Sequence, residues 1–210
     1  MPLSASNQIM GSALDPKYVI YPRRHHFTRM LSQTLLMAGA GLLGYVGAWY
    51  LNMYLTQASL ERQWERLASP TVAASKLAAP RIQALTRLQI PKIKLDAIVV
   101  EGVSGRQLAK GPGHLEETAI PGEAGNAVIT GHRDTFFRHI FELKEGDEIV
   151  VRRGDQRFRF QVTGKKIVEP DDVSVLRPTR DAQLTLITCY PPNYVGPAPQ
   201  RMAVFSKLVE

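Results

Sequence analysis

A long stretch without any charged residue limits what this chain can fold into more than any other feature. It covers residues 31–60, whereas charged side chains are frequent in the rest of the 210 residues. Within it, residues 34–55 form a run of 22 residues, enough to cross a hydrocarbon core of about 30 Å as a helix. The sequence therefore predicts a transmembrane helix over residues 31–55.

The residues around this stretch predict its orientation. Three arginines lie just before it: Arg23, Arg24 and Arg29. Because positive charges remain on the cytoplasmic side, residues 1–30 are expected to form a cytoplasmic N-terminal segment. A cleaved signal peptide is the alternative, but its apolar region would be only about 7–15 residues long. We favour a retained signal anchor in the cell membrane, with the rest of the chain outside the cytoplasm.

The net charge of +7 suggests nucleic-acid binding until it is divided along the chain. Residues 1–30 hold four basic and one acidic side chain, and residues 61–210 hold 22 basic and 18 acidic ones. In the second part the two signs are interspersed, without the basic stripe that a phosphate backbone requires. We therefore expect no nucleic-acid partner.

The segment at residues 56–85 is predicted to be a stalk. Leu60, Trp64 and Leu67 have helical spacing, which indicates a short amphipathic helix at the membrane exit. Ser69-Pro70 then interrupts the pattern, and the alanine-rich run up to Pro80 is typical of a flexible linker. Small residues in the spanning stretch are common in single and paired helices alike, so the oligomeric state stays open.

Residues 86–210 form the predicted folded domain, and their apolar pattern is that of β-strands. Turn signals separate the strands, and Gly154-Asp155 has the length of a two-residue hairpin. Many short strands with little room for long helices predict an all-β domain, either a closed barrel or a sandwich. The eight predicted strands are residues 87–90, 96–100, 126–130, 148–152, 157–162, 166–169, 184–188 and 201–206.

The single cysteine, Cys189, excludes an intramolecular disulfide. It stands at the end of the apolar run that begins at Leu184, so it is expected at the exit of a buried strand. A nucleophile benefits from such a position because its approach to a substrate is fixed. The alternative is a buried cysteine that acts as a small apolar residue.

A cysteine nucleophile needs a basic neighbour, since the thiolate is the reactive form. The β-rich domain contains three histidines: His114, His132 and His139. His132 is the best candidate because it follows a glycine at the end of a β segment. Arg201 begins the last strand, and antiparallel pairing of that strand with residues 184–188 would return it to the level of Cys189. There it could hold a developing oxyanion.

Together these residues resemble the sortases. The resemblance is carried by Thr188-Cys189, by Gly131-His132-Arg133 and by Arg201 after Pro199-Gln200. Four further stretches look most like class D sortases and neighbouring branches: residues 111–114, 121–126, 131–138 and 169–176. The similarity extends over residues 86–210 in the order of the family's motifs.

The resemblance implies a closed eight-stranded β-barrel that acts as a cysteine transpeptidase, with His132, Cys189 and Arg201 as its catalytic residues. Gly131, Thr188 and Tyr190 would contact the substrate. In such enzymes the cysteine cleaves a C-terminal sorting signal similar to Leu-Pro-x-Thr-Gly, forms a thioester and transfers the acyl group to an amine. The implied partners are proteins that carry this signal, an amine acceptor at the cell surface, and the membrane through residues 31–55.

Three alternatives remain beside the transpeptidase. A cysteine hydrolase would form the same thioester but release it to water, and a non-catalytic binding module would keep only the barrel. An L,D-transpeptidase would need a Ser-His-Gly-Cys arrangement, which is missing around Cys189. Zinc-type Cys/His spacing, a phosphate loop and a dinucleotide fingerprint are also missing, so we expect no metal and no cofactor.

Overall fold

The computed structural model describes residues 24–68 and 85–209. The chain consists of two compact units, residues 1–47 and residues 48–210. One helix, α1, covers Arg24–Ala68 without a break. From Phe27 to Leu67 it is long and apolar enough to cross a membrane, by length and composition. The residues of the predicted stalk up to Ala68 are thus helical, while its alanine-rich part lies outside the described residues, as do residues 1–23.

The second unit is built around a closed β-barrel. Its strands are β1 (Thr86–Ile90), β2 (Leu95–Glu101), β3 (Gly113–His114), β4 (Asn126–Thr130), β5 (Glu148–Arg153), β6 (Gln156–Val168), β7 (Gln183–Tyr190) and β8 (Gln200–Leu208). Around the barrel they follow the order β1-β2-β3-β4-β7-β8-β6-β5. A short helix, α2 (Gly105–Leu108), lies between β2 and β3. The predicted closed eight-stranded barrel is confirmed.

Alternating side chains fill the interior of the barrel. In β1, Leu88 and Ile90 are fully buried while Arg87 and Gln89 are partly exposed, as the two-residue period of a strand requires. The largest buried side chains include Phe137 and Phe160. Burial of apolar surface supplies roughly 25 cal/mol per Å², so this core is the main source of the domain's stability.

Two strands differ from their predictions. Residues 166–169 are not a separate strand, because β6 continues from Gln156 to Val168 through an irregularity between Val162 and Gly164. β3 was not predicted, since two residues are too short to show any alternation. The two errors offset each other in the strand count. The predicted turn at Gly154-Asp155 is confirmed, with Gly154 at φ +56°.

The C-terminal part of α1 contacts the barrel at the seam between β2 and β3. These two strands pair only at Val100–Gly113 and Glu101–His114, so Ile98 lies beyond the end of the paired residues. The Gln57 side-chain amide donates to the Ile98 and Lys110 carbonyl oxygens at 3.1 and 2.7 Å. The Ile98 N–H in turn donates to Gln57 Oε1 at 3.0 Å. Gln57 therefore takes the place of a missing strand residue.

Candidate active site

Cys189 is held near the end of β7, which lies between β4 and β8. Leu184 and Leu186, earlier in the same strand, are fully buried in the core. Cys189 itself is half-buried, so its thiol is fixed by the strand and yet accessible. This is the position predicted from the sequence, and it suits a nucleophile better than a fully enclosed cysteine would.

Arg201 lies directly opposite Cys189 across the β7–β8 pair. Side chains at opposite positions of an antiparallel pair point to the same face, with Cβ atoms about 4.5–5.5 Å apart. The predicted return of Arg201 to the level of Cys189 is thus confirmed. Its Nη1 donates to the carbonyl oxygens of Ala198 and Gln200 at 3.1 and 2.9 Å, which restrains the guanidinium at the start of β8.

His132 reaches the same end of the barrel through the parallel pairing of β4 with β7. The Gly131 N–H donates to the Ile187 carbonyl at 3.1 Å, and the Thr188 hydroxyl donates to the Gly131 carbonyl at 2.8 Å. His132 and Cys189 are the next residues of these two neighbouring segments. The sequence alone left their relative position open, and the parallel register places them at the same level of the barrel.

Gly131 has a packing reason to be glycine. A Cβ atom there would lie 2.8 Å from the ring of Phe137, closer than real Cβ contacts occur. The Phe137 N–H also donates to the His132 carbonyl at 3.1 Å, so the chain turns back on itself directly after the histidine. The segment that carries His132 is therefore held on the core by a buried aromatic ring.

The predicted substrate-contacting residues differ in exposure. Thr188 is only 5% exposed and its hydroxyl is used within the protein, and Gly131 is also buried. Tyr190 is half-buried and packs against the core cluster. Among the three, the Tyr190 side chain is the one with surface left to offer a ligand.

The other two histidines lie elsewhere. His114, in β3, is buried and hydrogen-bonds Glu101 and the Ala119 carbonyl. His139 is exposed, and its Nδ1 lies within hydrogen-bond distance of Glu142 Oε1, at 2.7 Å. Neither is adjacent to Cys189 in the strand pairing, so of the three histidines in this domain His132 is the one that lies at the level of Cys189.

The sequence did not predict that two buried polar side chains hold loops of the domain, although Arg133 was named as part of the Gly131-His132-Arg133 segment. Asn126 donates to the Val175 and Arg177 carbonyls, and so holds the connection between β6 and β7. Arg133 donates to three carbonyls of the connection between β7 and β8. The sequence does show a polar residue next to an apolar strand in each case. The carbonyls that these two side chains bind, however, lie 49 to 63 residues away in sequence.

A recess of about 460 Å³ opens between the segment after His132 and the β7–β8 connection. Arg133, Asp134 and Arg138 lie on one side of it, and Tyr194 and Val195 lie on the other. Within residues 24–68 and 85–209, no group of three His, Cys, Asp or Glu side chains is placed to hold a metal ion.

A closed barrel that holds a half-buried cysteine, with an arginine and a histidine at the same level, is compatible with cysteine-dependent acyl transfer. Comparison with known proteins gives the family. Residues 88–209 match the model of the sortase domain. The chain therefore belongs to the sortase family, a family of cysteine transpeptidases.

Individual relatives agree with this assignment. Sortase D of Bacillus subtilis (strain 168) is 40% identical over 128 residues, which cover 60% of this chain and 65% of the relative. The match thus spans less than two thirds of that protein. Sortase E1 of Streptomyces coelicolor, solved with a tripeptide in its active site, is 33% identical with a TM-score of 0.55, over 61% of this chain and 90% of that one.

The fold extends further than the sequence similarity. A Clostridium perfringens Sortase D5 transpeptidase superposes with a TM-score of 0.65 over 74% of this chain and 99% of that one, at 24% identity. At this sequence identity the similarity supports a shared fold and nothing further.

Proposed function

We propose that this protein is a membrane-anchored sortase that cleaves a C-terminal sorting signal and joins the released acyl group to an amine. The observation that carries the proposal is the register of β7 and β8, which sets Arg201 opposite Cys189. Acyl transfer requires a nucleophile, an oxyanion donor and a general acid–base group. Here Cys189 on β7 is flanked by Arg201 on β8 and by His132 after β4. The signal is expected to be similar to Leu-Pro-x-Thr-Gly.

In the first half-reaction, Cys189 Sγ attacks the carbonyl carbon of the threonine in the signal. Arg201 donates to the carbonyl oxygen as negative charge develops on it. The bond to the following glycine breaks, and His132 gives its proton to the leaving amine. The product is a thioester between Cys189 and the threonine carbonyl.

In the second half-reaction, an amine attacks the thioester. His132 accepts a proton from that amine, the new amide bond forms, and the sulfur of Cys189 leaves as thiolate. The transferred protein is then attached to whatever carried the amine, which we expect to be a component of the cell surface. Tyr190, Thr188 and Gly131 stay proposed substrate contacts, of which Tyr190 has accessible surface.

The test uses the full chain in detergent with a peptide library of the Leu-Pro-x-Thr-Gly type. Intact-mass spectrometry should show one acyl adduct, on Cys189, and a new amide product when an amine is added. Cys189→Ala should give neither. If the added amine changes neither the rate of cleavage nor its products, the protein is a hydrolase rather than a transferase. An unlabelled cysteine with retained peptide affinity would favour the binding module.

A further inference from the structure

The connection between β7 and β8, residues 191–199, begins two residues after Cys189 and has few backbone N–H groups that could hydrogen-bond to its own carbonyls. Four of its nine residues are prolines, which have no amide N–H to donate. Within it, the Tyr194 N–H donates to the Pro191 carbonyl at 3.4 Å. Val195 at its tip is 95% exposed. An ordered conformation here depends on donors from another part of the chain.

Arg201 donates to one carbonyl of the connection, that of Ala198, and Arg133 supplies the donors for three others. Its Nη1 donates to the Pro191 carbonyl at 3.1 Å, and its Nη2 donates to the Tyr194 and Gly196 carbonyls at 2.7 and 3.0 Å. The guanidinium carbon lies 5.9 Å from the centre of the Tyr194 ring, within the range of a cation–π contact. The connection is therefore wrapped around one buried cation, whose residue is 9% exposed.

The place of Arg133 in the chain gives this contact its significance. Arg133 directly follows His132, and the carbonyls it binds belong to the segment that directly follows Cys189 and Tyr190. We propose that Arg133 is a positioning residue, which ties the loop after the cysteine to the segment of the histidine and so sets the geometry between the His132 imidazole and the Cys189 thiol. The inference rests on the proposed function, in which these two groups exchange protons with substrate.

The geometry requires arginine in particular. A guanidinium presents several donors in a planar fork, and here two of its nitrogens reach three carbonyls. Its Nε also lies 3.5 Å from the Asp134 carboxylate. A lysine ammonium is a strongly hydrated point charge without this shape, so Arg133→Lys should retain only part of the effect, and Arg133→Met should lose it.

The first measurement needs no peptide. Because Cys189 is the single cysteine, the rate of its alkylation by iodoacetamide reports on this thiol alone. We expect the pH profile of alkylation in Arg133→Met to move toward that of His132→Ala, with Arg133→Lys between them and the wild type. Arg157→Met is the matched control, an exposed arginine on β6 that pairs with Glu148 at 3.7 Å. Its profile should be that of the wild type.

The second measurement is kinetic. Loss of alignment between two reacting groups lowers kcat on the order of tenfold to a hundredfold, while KM for the sorting peptide should change less than twofold in Arg133→Met. A purely structural role would lower the melting temperature and leave both the pH profile and kcat of the folded variant unchanged. That result would overturn the proposal.

A variant on the loop side covers the case in which Arg133→Met does not fold. Gly196 has φ +103°, and an added Cβ would meet only Tyr194, at 4.0 Å. Gly196→Ala therefore strains the backbone and shifts the carbonyl that Arg133 binds without a steric clash. It should change the alkylation profile in the same direction, and an unchanged profile would count against the proposal. If the wild type forms no thioester, the proposed function fails, but the alkylation comparison still decides the role of Arg133.

Discussion

At the scale of single residues, Arg201 is the strand arginine whose position carries the most chemical meaning. Its Nη1 is bound to two backbone carbonyls, so the hydrogen bonds of the guanidinium leave Nη2 and Nε for a substrate oxygen. An oxyanion donor that is already oriented needs no rearrangement when the charge develops. In the proposed mechanism, Arg201 would therefore serve as a fixed donor rather than as a mobile charge.

We expect Arg201→Ala to lower kcat/KM for thioester formation by about 10²–10³-fold, the usual effect of removing one oxyanion donor. Arg201→Lys should recover part of this, because a charge remains but the fork is lost. Single-turnover acylation with a sorting peptide measures both. Arg152→Ala, an exposed arginine on β5, serves as the control. A loss below threefold in Arg201→Ala would remove this residue from the chemistry.

His114 shows how a buried histidine can belong to the fold rather than to the chemistry. It is 4% exposed, and its ring nitrogens lie 2.9 Å from Glu101 Oε2 and 3.0 Å from the Ala119 carbonyl oxygen. Burial by itself lowers the pKa of His114, but the hydrogen bonds to Glu101 and Ala119 outweigh burial, and the pKa lies above its usual value of 6.5. The protonated ring can donate to both oxygens.

This pKa shift predicts a pH-dependent stability. A raised pKa in the folded state stabilises the protein fully below pH 6.5, and the stabilisation is lost as pH rises through the raised value. Glu101→Gln should therefore lower the free energy of unfolding at pH 6 by about 1–2 kcal/mol and have little effect at pH 9. Denaturant titrations at both pH values measure the difference.

The control is the exposed pair of His139 and Glu142, whose side chains are 53% and 46% exposed. Glu142→Gln should change stability by less than about 0.5 kcal/mol at either pH, because solvent screens such a pair. An NMR titration of His114 with a midpoint at or below 6.5, or equal losses for Glu101→Gln at both pH values, would contradict the prediction.

At the scale of elements, the C-terminal part of α1 packs on the barrel and stabilises it. Gln57 bonds both backbone groups of Ile98, and Glu61 pairs with Arg87 of β1 at 2.9 Å. Arg87 also binds Asp96 at 2.7 Å. Partial burial raises the pKa of Asp96, but the hydrogen bonds from Arg87 and Gln89 outweigh burial, so the pKa of Asp96 lies below its usual value. Trp64 is buried as well. Helix and strands are therefore linked by several side chains rather than by the chain connection alone.

Gln57→Ala should lower the free energy of unfolding by about 1–3 kcal/mol, because the N–H and C=O of Ile98 lose their partner at a partly buried seam. Gln63→Ala removes the same side chain from an exposed position of the same helix and should change stability by less than about 0.5 kcal/mol. Thermal and denaturant unfolding of the full chain in nonionic detergent compare the two. Equal effects of both variants would show that the Gln57 contact does not stabilise the seam.

At the scale of the whole molecule, the uncharged stretch of α1 at residues 31–60 and the charged barrel domain predict a protein that works at a membrane surface. We expect the full chain to stay with the membrane fraction after an alkaline wash, since an apolar helix of this length inserts stably. A protease added outside intact cells should cleave a C-terminal tag and spare an N-terminal one. Protection of the C-terminal tag would reverse the proposed orientation.

Local patterns in the sequence predicted most of the barrel strands, and also predicted that Cys189 and Arg201 lie at the same level of neighbouring strands. Strand alternation and turn residues act over a few neighbours, so β1, β7, β8 and the Gly154 turn are visible from the chain alone. The opposite positions of Cys189 and Arg201 followed from the same local reasoning, because a loop between two antiparallel strands returns the chain to its level. The catalytic roles of these residues stay predictions.

Tertiary structure decided the features that depend on distant partners. The parallel pairing of β4 with β7 places His132 at the level of Cys189, and nothing in the local sequence specifies that register. Arg133 and Gln57 each bind backbone groups at least 41 residues away, so their roles are invisible until the chain is folded. Sequence determined which residues form strands and which one is the thiol, because these depend on local composition. The fold decided which side chains surround that thiol, because only packing brings remote donors and acceptors within hydrogen-bonding distance.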